Sequence, residues 1–423
     1  MPIDPNPVAE PTGFMSIRDD GSIALNPREP DFYGDPYKAY AALHERFAVV
    51  RWDEYDCACI IAHADVSTLL RDSRFGRGDP GDPDLTRFDD LGAFGQVERH
   101  SLLELEPPDH TRLRRLINRS FVSSRVVGLA PSIETRAHEL IDAIEGSGET
   151  DLLVSYATAL PVETITELLG IGRDRCGNLL AWSHAMVAMY QFGRDDAVVE
   201  AAKSASAAFS AFLRDEIVAR AHDGGDDLLT HLVTSARASG NASDDEIISM
   251  AILLLNAGHE ATVHQIGNAV RTLLHAADAG YDVLSALHGD AQADRIVEEC
   301  MRIDPPLHMF MRYAMQDATV RFSDGSERSF AKGETIGLML GAANHDPKRF
   351  GDPATFDPGR DPLNHVSFGG GIHFCVGAPL ARLELRIALR VLFERLPGLR
   401  LAEEPRYADA YHFHGLERLR VAW

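Results

Sequence analysis

Apolar residues recur at helical spacing through six long stretches, 131–145, 151–170, 197–222, 243–275, 291–303 and 377–396, with polar residues filling the other faces. Each stretch predicts a helix. Alternation with a period of two is confined to "FAVVRWDEYDCACII" at 47–61 and "ATVRFSDGSERSFAKGETIGLML" at 318–340. Turn signals at "SDGS" and "AKGE" divide the second stretch, which reads as a small meander. Strands and helices do not alternate regularly, which disfavours a doubly wound sheet, and no internal repeat is visible. The pattern predicts a mainly α fold with a minor β region.

Composition agrees with a large packed core: 423 residues, 45% hydrophobic and 25% charged. Length alone allows about two or three domains. The best boundary candidates, "HDGGDD" at 222–227 and "ADAGYD" at 277–282, are short enough to be helix–helix connections, so one large domain is expected. The start, "MPIDPNPVAEPTGF", lacks the basic residues and apolar run of a signal peptide, and no stretch approaches the roughly 18 apolar residues of a membrane span. A cytoplasmic protein with no membrane partner is expected. A net charge of −23 argues against a nucleic-acid partner. Cys57, Cys59, Cys176, Cys300 and Cys375 are odd in number and form no framework, so free thiols are expected.

The candidate chemistry lies in "FGGGIHFCVG", residues 368–377. Zinc would need more ligands than Cys375 and the nearby His373, and no nucleophile signature surrounds the thiol. A structural cysteine is one remaining reading. The other is a lone axial thiolate to haem iron, on a loop whose glycines let the backbone press against a flat macrocycle. A helix starting near Gly377 would turn free amides toward the sulfur and favour the thiolate.

The spacing of Phe368, Gly371, His373, Cys375 and Gly377, F-x-x-G-x-H-x-C-x-G, resembles the haem-binding loop of the cytochrome P-450 family. The resemblance implies haem (heme b, iron protoporphyrin IX) as cofactor, Cys375 as its metal ligand, and Phe368, Gly369 and Gly377 in the binding loop. Other landmarks agree. In "EECMR" Glu299 and Arg302 lie three apart on one helical face, which alone reads as a surface ion pair. Followed by "IDPP", the pair resembles the family's buried Glu–Arg pair, with Arg360 in "FDPGR" as third member of a structural network.

In "EPPDHTRLRRLINRSF", 106–121, His110 and Arg114 share a helical face, while Arg112 is turned about 200° from each and sides with Arg115 and Arg119. By resemblance His110 and Arg114 meet a haem propionate, with Arg312 in "FMRYA" and His373 serving the propionates from elsewhere; arginine suits carboxylates. The second face, helped by Arg382, would guide an acidic ferredoxin.

The long pattern from 243 opens with a capping box, Ser243 and Glu246, and reaches "AGHEAT" at 257–262. A glycine inside a helix costs about 1 kcal/mol, and an acid on an apolar face needs a task. Glu260 matches the family's acidic position, where oxygen binds over the haem and protons arrive. The chain departs from the family at the next residue, usually threonine, which is Ala261. Thr262 follows one step on, about 100° around the helix, so it would replace that threonine only through a local distortion. Glu260, Ala261 and Thr262 are thus the catalytic candidates, with Thr262, an ordered water or a substrate hydroxyl completing the relay.

By position in the family, the substrate site draws on the segment 84–101, Met186 with Tyr190, Leu254, Ala257, Leu307 to Phe310, and Phe413; each reads equally as core packing. The resemblance runs from about residue 30 to Trp423, implying an N-terminal extension at 1–29 and a single large haem-binding domain of cytochrome P-450 fold at 30–423. It implies a monooxygenase that activates O2 and inserts one oxygen atom into a small, largely apolar organic substrate. With no flavin or iron–sulfur motif in the chain, electrons are expected from a ferredoxin and an NAD(P)H-fed ferredoxin reductase, delivered to a monomer. The alternatives are a different oxidation such as coupling or dealkylation, a peroxide-driven haem enzyme, which would be expected to lack an acid like Glu260, and a non-catalytic haem protein, which would need an output region.

Overall fold

The computed structural model describes residues 13–79, 88–121, 123–220 and 225–423. All six stretches of helical periodicity are helical: Ala130–Asp142, a π turn Leu153–Ala157 leading into Ala159–Leu169, Asp196–Arg220, Asp244–Asp278, Asp290–Ile303 and Ala378–Arg395. The 35-residue helix Asp244–Asp278 is the centrepiece. Its capping box is formed in both directions between Ser243 and Glu246, which satisfies amides that the first turn would otherwise leave unpaired. Helices Ala159–Leu169, Asp196–Arg220, Asp290–Ile303 and Ala378–Arg395 pack around it, so apolar residues such as Ile248, Leu255, Ile266 and Leu273 are buried along its length. Gly258 is explained by this packing: a Cβ there would lie 3.0 Å from Ile165 carbons of the neighbouring helix.

The β structure departs from the expected meander. Ala318–Arg321 and Glu327–Phe330 form an antiparallel hairpin, but Thr335–Leu338 leaves it for a seven-stranded sheet, pairing parallel with Cys57–Ile60 and antiparallel with Phe310–Ala314. Sequence alternation reports that a strand is half-buried and says nothing about which partner it takes. Ser22–Ala24, inside the stretch expected to be an extension, pairs parallel with Val49–Trp52, and Met15, Ile23 and Leu25 are buried. Among the described residues no helix is long and apolar enough to cross a membrane.

Candidate active site

The Cys375 loop is folded by its own backbone. The Cys375 N–H donates to the Phe368 carbonyl at 3.0 Å and the Gly369 N–H to the Val366 carbonyl at 2.8 Å. Gly371 has φ +68° and a Cβ on it would collide with the Leu70 carbonyl; Gly369 has φ +69°, with a Cβ position 3.1 Å from the Phe310 ring. The glycines let the loop wedge between Leu70 and Phe310. Cys375 is a free, half-buried thiol. Burial pushes its pKa up, opposed by the Gly377 and Ala378 amides at the start of helix Ala378–Arg395 and by the charges of Arg114 and Arg382. Arg382 also lies over the Phe368 ring, 4.5 Å from its centroid.

Beside this loop the structure gathers basic groups that bond no carboxylate among the described residues, although Glu106 lies near enough to act on His110 and Arg312 through its charge. His110, only 2% exposed, has no hydrogen-bond partner on either ring nitrogen, and its ring lies 4.6 Å from that of His373. Burial, and then His373, pull its pKa to about 4. Arg312, also 2% exposed, donates to the neighbouring Met311 carbonyl at 2.9 Å and pairs with no carboxylate among the described residues. Burial, with Arg77 close by, pulls this guanidinium down to about 9. Arg114 reaches the Phe374 carbonyl at 2.7 Å and the Asn118 side chain at 3.2 Å, again without an acid. A buried basic group with no bonded acid is costly, so His110 and Arg312, with the half-buried Arg114 beside them, form a cradle suited to an anion. Two carboxylates such as the propionates of a haem would suit that cradle, and a thiol backed by helix amides would suit its iron; these residues fit the group. His373, expected to join them, has its Nε2 3.2 Å from Glu106 Oε1. Glu106 was not legible beforehand, and neither was the buried Arg77–Glu104 pair at 2.6 Å, because these partners are brought in from separate segments.

The network behind the loop is complete. Arg302 and Glu299, both fully buried, are joined by two bonds of 2.7 Å, and Arg360 Nε reaches Glu299 Oε1 at 3.2 Å. Arg302 also donates to the Asn344 carbonyl at 2.9 Å. Asn344 in turn bonds the Val366 N–H at 2.9 Å and the Ser367 hydroxyl at 2.8 Å, which ties the pair to the residues before Phe368. Asn344 and Ser367 escaped the sequence reading, since neither belongs to a recognisable spacing.

On the long helix, Glu260 is largely buried and has imidazole nitrogens at 3.5 Å from His184, 3.5 Å from His259 and 3.4 Å from His264. Burial would raise its pKa, but these rings outweigh burial and lower it. The helix runs without interruption past Ala261, so the local distortion that Thr262 would need is not present. Thr262 is buried and its hydroxyl donates to the Gly258 carbonyl at 3.1 Å, engaged within its own helix.

The expected substrate positions divide. Met186 and Leu254 are buried in the helical core, whereas Ala257, Leu307, Phe310 and Phe413 retain accessible surface, with Leu307 and Phe413 side by side in a β-bridge. Residues 84–87 lie outside the described residues; from Phe88 on, the segment packs its Phe88 and Phe94 rings together at 5.2 Å, with Tyr190 5.9 Å from Phe88. The expected arginine face is only partly free. Arg112 is held at 2.6 Å by both Asp109 and Glu246, and Arg382 by Glu298 at 2.5 Å, while Arg115 and Arg119 are exposed and have no ion pair among the described residues.

Known proteins are similar to this chain over almost its whole length. Residues 292–397 match the Cytochrome P450 family. The chain is 36% identical to the cytochrome P450 monooxygenase PikC of Streptomyces venezuelae, over 93% of this chain and 92% of that protein. It is 33% identical to the 6-deoxyerythronolide B hydroxylase of Saccharopolyspora erythraea, over 92% and 96% respectively. The solved structure of CalO2 superposes with a TM-score of 0.86 at 30% identity, covering 95% of this chain and 98% of that one. Identity of this degree across almost the whole chain, joined to a helical architecture that matches, makes this protein a member of the cytochrome P450 family, a haem b-containing haem-thiolate monooxygenase that draws on a substrate, O2 and electrons from a redox partner.

Proposed function

We propose that Cys375 is the thiolate ligand of the haem, that His110, Arg114 and Arg312 hold its propionates with His373 positioned against Glu106, and that Glu260 handles protons above it. When bound, the haem supplies reductive activation of dioxygen, favoured by the electron-donating thiolate. The chain's own residues do the rest. The Gly377 and Ala378 amides stabilise negative charge on Cys375 Sγ, and the Glu299–Arg302–Asn344–Ser367 chain keeps the loop in register. Glu260, held ionised by the imidazoles around it, can take up a proton and pass it on. The observation that carries this reading is the pair of buried basic groups, His110 and Arg312, that bond no acid among the described residues, beside a lone thiol at a helix start.

The haem domain spans 30–423, with 13–29 packed onto it. It works as a cytoplasmic monomer supplied by a ferredoxin and its NAD(P)H-fed reductase. Ala257, Leu307, Phe310 and Phe413 give the substrate a largely apolar surface, suited to a small organic molecule. The test is the reduced, carbon monoxide-treated protein. The wild type should show the long-wavelength Soret band of thiolate-ligated haem and Cys375→Ser should not; a variant that keeps the band refutes the ligand assignment.

A further inference from the structure

His259 is the most constrained of the imidazoles around Glu260. It is fully enclosed, and its Nδ1 lies 2.8 Å from the Leu255 carbonyl. A carbonyl only accepts, so Nδ1 carries the proton and Nε2 of the neutral ring presents a lone pair. That Nε2 has no hydrogen-bond partner, yet it sits 3.5 Å from Glu260 Oε2, another acceptor. Two acceptors aimed at each other in a buried place call for a cation between them.

The surroundings supply a third donor. His184, at the last turn of helix Cys176–Val187, points its Nε2 to 3.5 Å from the same carboxylate oxygen, and its ring is 55% exposed. Ligand atoms from His184, His259 and Glu260 all lie within 4.8 Å of one another. Two imidazoles and a carboxylate are a zinc donor set, and ligands at about 2.0–2.1 Å in a tetrahedron stand about 3.3–3.4 Å apart, close to the 3.5 Å that each imidazole nitrogen keeps from Glu260 Oε2. The outer contacts also suit a metal. The Nδ1–H of His259 is anchored on a backbone carbonyl, and His264 Nε2 stands 3.4 Å from the other carboxylate oxygen, in a seat open only because residue 415 is glycine. The half-exposed His184 gives a metal a route of entry from solvent. The other comparable cluster among the described residues, Asp304, His308 and His414, is enclosed on all sides, and its carboxylate already accepts from Tyr37 and Tyr407.

We propose that His184, His259 and Glu260 form a binding site for a divalent transition metal of the zinc class. This rests on the reading of Glu260 as the proton-handling acid: a metal on the carboxylate withdraws it from proton traffic, so zinc acts as a reversible inhibitor of coupled turnover.

The experiment uses the haem-loaded enzyme, stripped with chelator and dialysed to equilibrium against zinc, with metal counted per haem. The wild type should bind one zinc that His184→Ala, a surface change, weakens by at least about a hundredfold, the upper end of what loss of even an outer partner costs. His259→Gln should do the same. Zinc binding unchanged by His184→Ala overturns the site, whatever the folding of the second variant. In parallel, product per electron pair should fall with zinc in the wild type, recover with chelator, and stay constant in His184→Ala at the same zinc concentration. If zinc binds as described but product per electron pair does not change, the metal site stands and the proton-handling role of Glu260 falls.

Discussion

At the scale of single residues the chain is most individual around Glu260. Ala261 offers no hydroxyl, and the one that follows, on Thr262, is turned back onto the Gly258 carbonyl. Loss of a positioned proton-transfer group typically costs about 10²–10⁴-fold, so Glu260→Gln should depress turnover on that scale. Ala261→Thr should change product per electron pair, upward where a missing hydroxyl limits coupling and downward where it displaces a hydroxyl of the substrate. Wild-type coupling in both variants would remove the two positions from the path. His345 tests burial instead. It stacks on Tyr37 at 4.2 Å, its Nε2 meets the Ile303 carbonyl at 2.8 Å, and burial pulls its pKa to about 3. The folded protein therefore lacks a proton that the unfolded chain takes up below about pH 6.5, so this stability is fully present above that pH and is lost on acidification toward 3, by up to about 1.4 kcal/mol per pH unit. Urea midpoints at pH 7 and pH 5 should converge in His345→Gln relative to wild type; an unchanged difference would show that another group titrates.

Among elements, the joint between helix Asp290–Ile303 and the Cys375 loop matters most. Glu299 and Arg302 were legible because a spacing of three places both on one helical face, and the resemblance implied that the face is buried. Their onward bonds through Asn344 and Ser367 were not, since hydrogen bonding across more than 20 residues leaves no periodicity to read. Removing one partner of a buried ion pair strands the other, at about 3–5 kcal/mol. Glu299→Gln should therefore lower the unfolding free energy by that order and reduce haem retention. Haem loading and stability equal to wild type would mean that the loop holds itself. The strand Thr335–Leu338 teaches the same lesson: its alternation was plain, but its partners Cys57–Ile60 and Phe310–Ala314 are chosen by tertiary packing.

At the scale of the whole molecule, net charge and local charge point in opposite directions. The chain carries −23 overall, yet the helix Asp109–Ser120 presents Arg115 and Arg119 exposed and without an ion pair among the described residues, on the face turned away from His110 and Arg114. An acidic ferredoxin would be steered to such a patch despite the global repulsion, because screening leaves only nearby charges effective. Reversing both, Arg115→Glu with Arg119→Glu, should slow reduction by ferredoxin about tenfold or more at low ionic strength and leave substrate affinity intact. Stopped-flow reduction that matches wild type would dismiss this face. Arg112 and Arg382 belong to the stability of the molecule, since both are already neutralised by carboxylates.

The order of residues by itself determined the helical class, the capping box, the free thiols and the family landmarks, because each depends on neighbours within a few turns: periodicity, a cap three residues long, a ten-residue loop. Only the tertiary structure decided which buried charges find partners. Among the described residues His110 and Arg312 bond no acid, Arg112 is captured by Glu246, and Glu260 is enclosed by three histidines, one of them from a different helix. Coulomb and hydrogen-bond energies depend on distances across the core, and those distances are set by how helices pack rather than by how residues follow one another.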